Sequence, residues 1–191
     1  MKNPKIRIEK VDEYSFLMAD DVPHSVYPSP KGGYWIHMVP DKEPKKVLIL
    51  GLGGGTIARL ILEKYPKAEI TGVDYSVEIL EMAVKHFGLD GTKMKIKTED
   101  AFEYVKTEKK KYDLIIVDLV DGYWYPLKIF SDSFIGDLLR ILDKGGQILI
   151  NAPNLDWLAE DAFMLIGKEV QKKEVGPNNI YSYEDIFPST L

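Results

Sequence analysis

The chain lacks cysteine altogether and holds only three histidines and three arginines. Without thiols it has no disulfide scaffold, no thiolate nucleophile and no cysteine-ligated zinc or iron–sulfur cluster. His24, His37 and His86 are scattered, with no HxxxH pair, so no metal site is expected. Positive charge comes from 22 lysines against 3 arginines, and the formal net charge is −5. A duplex-binding protein presents a basic face, and arginine is the better phosphate fork, so nucleic acid is not an expected partner. No apolar run approaches the roughly 20 residues that span a bilayer. The start, MKNPKIRIEK, lacks the apolar core of a signal peptide. A cytoplasmic protein with no membrane partner is the expectation. What is present is ordinary for a globular domain: 191 residues, 45% hydrophobic and 29% charged.

Residues 1–42 read as a small β-hairpin appendage. Ile6–Val11 and Tyr14–Met18 alternate around Asp12-Glu13, Asp20 to Gly33 reads as loop, and Tyr34–Val39 as a third strand. From 43 to 191 strands alternate with helices. Lys46–Leu50 is an apolar run ending at Gly51, as in a strand buried on both faces. Further strands are expected at Glu69–Val73, Met94–Lys97, Asp113–Val117 and Gln147–Asn151. Helical spacing appears at Ile57, Leu60 and Ile61, at Leu80, Ala83 and Val84, at Phe134, Leu138 and Ile141, and at Leu158, Ala162 and Leu165. A brief helix lies around Phe102–Val105. The tail, split at Gly176-Pro177, reads as an antiparallel hairpin. The fold class is therefore α/β: a doubly wound, mostly parallel sheet with a C-terminal antiparallel hairpin. Such sheets bind ligands beyond the carboxyl ends of their strands. That rule singles out Gly51–Gly55, Asp74, Asp100, Asp118 and Asn151.

Gly51, Gly53, Gly54 and Gly55 follow the first buried strand and open a helix. Glycines there let a ligand approach the backbone at a helix N-terminus. Gly53-x-Gly55-x-x-Ala58 also fits a dinucleotide fingerprint in a less favourable frame. Asp74, followed by Tyr75, ends the second strand, where a carboxylate can accept both hydroxyls of a ribose or serve the next helix as an N-terminal acid. Asp100, followed by Ala101, can accept from an adenine amino group or cap a helix, with Phe102 or Ile79 beside the ring. Asp118 and Asp121 stand beside the aromatic run Tyr123, Trp124 and Tyr125. Acids and aromatic faces together can hold an amine.

This order of motifs resembles the spermidine synthase group of aminopropyltransferases, which share the class I adenosylmethionine-dependent methyltransferase fold. The matching features are Gly51-x-Gly53-x-Gly55, Asp74, Asp100-Ala-Phe-Glu-Tyr, and Asp118-x-x-Asp121 with Phe130 and Phe134 beyond. The resemblance implies that Asp74 holds the ribose and Asp100 the adenine of S-adenosylmethionine or its decarboxylated form. It implies that Asp118 orients or deprotonates the attacking amine and that Asp121 binds it. It also suggests a homodimer. Gly54 stands where the family carries an aspartate facing the donor's aminopropyl amine.

Gly54 and the aromatic residues Tyr123, Trp124 and Tyr125 favour methyl transfer from S-adenosylmethionine to a small molecule, an amine or an aromatic or cationic acceptor, as the main expectation. The alternative is aminopropyl transfer from decarboxylated S-adenosylmethionine to a polyamine. Two further readings are a non-catalytic adenosyl-nucleotide-binding homologue and an NAD-dependent oxidoreductase. In either transfer a nucleophile attacks a carbon bound to a sulfonium. Charge moves toward the nucleophile, where a carboxylate stabilises it.

Overall fold

A computed structural model describes residues 5–89, 91, 93–120, 125–152 and 170–185. Near its start, β1 (Ile6–Val11), β2 (Tyr14–Ala19) and β3 (Val22–Tyr27) pair in that order as an antiparallel sheet. Asp12 and Asp20 make the two tight turns at φ 52°, a conformation aspartate tolerates better than most residues. This departs from the sequence expectation, which put loop at 20–33 and the third strand at 34–39. The Pro, Ser and Gly of this stretch favour a loop, but β3 is an edge strand whose pairing with β2 is irregular beside Pro23, and proline is tolerated at both kinds of place. Tyr34–Met38 forms a 3-10 helix instead. Its buried residues, Trp35 and Met38, are three apart and share one face only if the chain coils. Leu17 packs with Ile79 and Phe87 of the main unit.

The second sheet has seven strands: β4 (Lys46–Leu50), β5 (Glu69–Asp74), β6 (Met94–Thr98), β7 (Tyr112–Val117), β8 (Leu142–Ala152), β9 (Gln171–Val175) and β10 (Asn178–Glu184). Their order is β6-β5-β4-β7-β8-β10-β9. β4 to β8 run parallel, and β10 is antiparallel to both of its neighbours. Among the described residues four helices connect them: α1 (Thr56–Lys64), α2 (Val77–His86), α3 (Ala101–Thr107) and α4 (Asp132–Ile141). The helix expected around Leu158–Leu165 lies outside the described residues.

Strand β4 shows how the layers form. Leu48 and Leu50 face Tyr104, Val105, Ile135 and Leu138 of α3 and α4. Val47 and Ile49 face Ile57 and Ile61 of α1 and Leu80 of α2. Residues two apart share a face, so an unbroken apolar strand feeds two cores at once. Fully burying each such side chain stabilises the fold by roughly 1.5–3 kcal/mol. Side-chain caps set the helix starts: Ser76 Oγ accepts from Ile79 N at 3.2 Å, and Asp100 Oδ1 accepts from Glu103 N at 3.0 Å. The strand order reverses between β5 and β7, on either side of β4. The carboxyl ends there open a crevice.

Candidate active site

The glycine turn that leaves β4 is pulled against its neighbours. Gly51 and Leu52 both donate backbone N–H groups to Val73 O, at 2.9 and 3.1 Å. Gly51 has φ 88°, and a Cβ on it would lie 2.2 Å from Asp118 O. Only glycine satisfies both conditions. Gly53 N donates to Asp74 Oδ2 at 2.8 Å, and Ser76 N donates to Asp74 Oδ1 at 3.0 Å. Asp74 is therefore a buried carboxylate clamped by two backbone donors. Burial pushes its proton affinity up, while these donors and the charge of His24 pull it back.

Gly54 does something else. Its N–H donates to Ser25 Oγ at 2.7 Å, and a Cβ on it would lie 2.6 Å from Ser25 Cβ. Thr56 Oγ1 accepts from Val26 N at 2.9 Å and donates to Val26 O at 3.1 Å. These bonds stitch the end of β3 to the glycine turn. The space an acidic side chain would need at position 54 is filled by Ser25. Gly55, at φ 76°, faces Leu89. Gly54 and Gly55, expected as cofactor contacts, are not among the cavity's lining residues.

The cavity above these strand ends holds about 830 Å³. Small-molecule sites commonly fall between roughly 300 and 1,000 Å³. One half is lined by Gly51, Gly53, Asp74, Tyr75, Ile79, Asp100, Ala101 and Phe102. Phe102 leans on Phe134 at 4.7 Å between ring centres, which fixes the ring. Asp100 caps α3 and also lines the cavity, so the two roles weighed from sequence coexist.

The other half is walled by His24, Tyr34 and Trp35 from the N-terminal segment, by Asp118 to Val120 and Tyr125 after β7, and by the Val175–Asn178 turn. Asp118 is the acid among these lining residues. Asn151 Nδ2 donates to Asp118 Oδ1 at 2.7 Å, and Tyr34 OH donates to Asp118 Oδ2 at 3.0 Å. Asn178 Nδ2 donates to Asn151 Oδ1 at 2.8 Å and reaches Tyr125 OH at 3.3 Å. Burial raises the Asp118 carboxyl to about 6, against the downward pull of Asn151 and Tyr34. Burial, with Asp118 nearby, also raises Tyr125 to about 12 and Tyr34 well above its ordinary value, so both phenols stay protonated donors. An ionised Asp118 keeps two of its four lone-pair positions for a ligand in the cavity.

The structure thus brings Gly51, Gly53, Asp74, Tyr75, Asp100, Ala101, Asp118 and Tyr125 around one cavity. Asp121, Tyr123 and Trp124, expected at the amine, lie outside the described residues. Ser25, Tyr34 and Asn178 escaped the sequence reading. The sequence pattern suits a strand at Tyr34 and a turn at Asn178, and no local motif marks any of the three. Among the described residues no cluster of metal-binding side chains occurs. No helix there is long and apolar enough to cross a membrane.

The family model for the spermine/spermidine synthase domain matches residues 35–188. A polyamine aminopropyltransferase of Korarchaeum cryptofilum is 28% identical over 117 residues, covering 58% of this chain and 36% of that protein. Polyamine aminopropyltransferase 2 of Aquifex aeolicus is 34% identical over 140 residues, covering 69% of this chain and 28% of its own length. The chain thus spans about a third of these curated relatives. A spermidine synthase solved with the transition-state analogue AdoDATO superposes with a TM-score of 0.78 at 19% identity, over 97% of this chain and 72% of that one. Human methyltransferase-like protein 13, solved with SAH, gives 0.67 at 22% identity, over 78% and 75%. These likenesses establish the methyltransferase-like fold.

Proposed function

The chain belongs to the spermine/spermidine synthase domain family, and from that premise we propose that it transfers an aminopropyl group from decarboxylated S-adenosylmethionine to an amine. The observation that carries this reading is Asp118, held between Asn151 and Tyr34 in the wall of a cavity whose other half suits an adenosine. Family membership favours this chemistry over methyl transfer, the main expectation from the sequence. The loss of an acid at Gly54 is the feature that had pointed the other way. The structure gives it a steric context, because Ser25 already occupies that space.

In this reading the donor's ribose hydroxyls bond to Asp74, and its adenine lies between Ile79 and Phe102 with its amino group toward Asp100. The amine enters on the side of Tyr34, Trp35 and Tyr125. Its nitrogen donates to a free lone pair of Asp118 and attacks the propyl carbon next to the sulfonium. The carbon–sulfur bond breaks, methylthioadenosine leaves, and positive charge passes from sulfur to nitrogen beside Asp118. A carboxylate near 6 is a better match to an ammonium near 10 than an ordinary aspartate, yet still a weak base for it. Its larger contribution is electrostatic, together with the alignment of amine and donor. Residues 1–42 act as an appendage that closes one side of the site.

The same proposal includes a cytoplasmic homodimer. β1 is the outer strand of its sheet, and its unpaired edge can be covered by a second copy. Light scattering would check the dimer. The activity test incubates the protein with decarboxylated S-adenosylmethionine or S-adenosylmethionine and a panel of amines. Release of methylthioadenosine with an aminopropylated product is expected. S-adenosylhomocysteine with a methylated product would reverse the assignment. Binding without turnover across the panel would leave a non-catalytic homologue.

A further inference from the structure

We propose that Asn151 and Asn178 are positioning residues for Asp118, making the turn of the C-terminal β9–β10 hairpin a working part of the amine half of the site. The inference rests on the reading of Asp118 as the carboxylate facing the amine.

Its ground is the direction of the hydrogen bonds. An ionised carboxylate only accepts, so Asn151 must turn its NH₂ toward Asp118. That leaves Asn151 Oδ1 facing away from Asp118, in a fully buried side chain that needs a donor there. Asn178 Nδ2 supplies it at 2.8 Å. Its second N–H points to Tyr125 OH at 3.3 Å. Asn178 therefore locks the amide of Asn151 in the orientation that donates to Asp118. An unlocked amide could swing its oxygen toward the carboxylate, where two acceptors repel.

The elements involved lie far apart in the chain. Asn151 is at the end of β8, and Asn178 opens β10 just after Gly176-Pro177. Antiparallel pairing of β10 with β8 sets Asn179 opposite Ala152, which brings Asn178 level with the strand end. The same turn, Val175–Asn178, lines the cavity. It thus both walls the amine half and orients the acid there. Among the described residues, the titratable groups facing Asp118 are Tyr34, Tyr125 and Asp74. The hairpin adds only the neutral amide of Asn178, so its influence passes through hydrogen-bond orientation.

The test uses the full chain with Asn178→Ala, Asn178→Asp and Asn151→Ala. Four readouts are taken: the pH dependence of kcat, titration of the Asp118 carboxyl by 13C NMR assigned with Asp118→Asn, methylthioadenosine affinity by calorimetry, and Tm. In Asn178→Ala, kcat should fall about tenfold. Methylthioadenosine affinity should stay within about twofold of wild type. The acid limb and the carboxyl titration should both move to higher pH, because a donor to the ionised form is weakened. Asn178→Asp should be worse than Asn178→Ala, since a carboxylate there attracts the Asn151 NH₂ away from Asp118. An Asp118 titration and acid limb unmoved in all three variants would overturn the proposal. So would a fall in kcat matched by an equal fall in methylthioadenosine affinity and in Tm. If the wild type transfers nothing to any amine, the functional reading fails. The NMR titration still decides whether the hairpin tunes Asp118.

Discussion

The two halves of the cavity are built by different means. In the adenosine half each acid is held by backbone N–H groups: Asp74 by Gly53, 21 residues away in the turn after β4, and by Ser76, and Asp100 by Glu103. These partners come from strand-to-helix turns, whose geometry glycine and cap residues specify locally. In the amine half Asp118 is held by side chains from three remote segments: Tyr34 before β4, Asn151 at the end of β8, and, one step removed, Asn178 in the hairpin. An acid held by backbone donors is insensitive to the side chains its partners carry. One held by remote side chains depends on the register of whole strands.

The largest effect should come from Asp118→Asn, which keeps the shape and removes the charge. We expect kcat to fall about 10²–10⁴-fold, with methylthioadenosine affinity nearly unchanged. In the wild type, transfer should be lost as pH falls through about 6, as Asp118 takes up its proton. Stability should run the opposite way. A carboxyl raised from 3.8 to about 6 binds its proton more tightly folded than unfolded. Its favourable contribution is complete below pH 3.8 and is lost as pH rises to about 6, by on the order of 3 kcal/mol at most. Asp118→Asn should therefore gain Tm over the wild type at pH 7 and not at pH 4, measured by thermal melts.

Next comes Asp74→Ala in the other half. Losing a charged hydrogen-bond partner for the ribose is worth about 1.5–3 kcal/mol, or roughly 10- to 150-fold in donor affinity by calorimetry. The comparison predicts a split: Asp74→Ala weakens binding first, and Asp118→Asn weakens turnover first. Equal loss of both quantities in both variants would erase the distinction.

Gly54→Asp probes the seam between the halves. Its new side chain meets Ser25 at 2.6 Å, which should cost about 1–3 kcal/mol of stability as overpacking. Ser25→Gly in the same chain should recover part of that loss in denaturant melts. The smallest effect is expected for Asp100→Ala. Removing the α3 cap costs about 1 kcal/mol. Donor affinity should fall less than for Asp74→Ala.

Much of this was legible beforehand because it is written in short-range pattern. The buried run at Val47–Leu50, the glycines at 51–55, and acids at strand ends follow from backbone geometry and the ligand-binding rule of parallel sheets. So do the helix of Thr56–Lys64 and the hairpin at the tail. Tyr34–Met38 was misread as a strand because its aromatic and apolar residues suit either period. Only burial of Trp35 and Met38 against the sheet decides for a coil. Val22–Tyr27 is obscured by the Pro, Ser and Gly of residues 20–33, which an edge strand with a local irregularity tolerates. Ser25, Tyr34 and Asn178 could not be found at all. Each acts on a partner that no sequence spacing brings near: Gly54 at 29 positions, Asp118 at 84 and Asn151 at 27.

Periodicity and turn chemistry act over a few residues, and they are enough to specify the α/β alternation, the glycine turn and the carboxylates at the ends of β5 and β7. The tertiary structure alone decided that Ser25 fills the space beside Gly54 and that Asn178 fixes Asn151 against Asp118. It also decided that the N-terminal segment and the C-terminal hairpin close on the same acid. Those contacts depend on how sheets twist, pair and pack, and distance along the chain carries no trace of them.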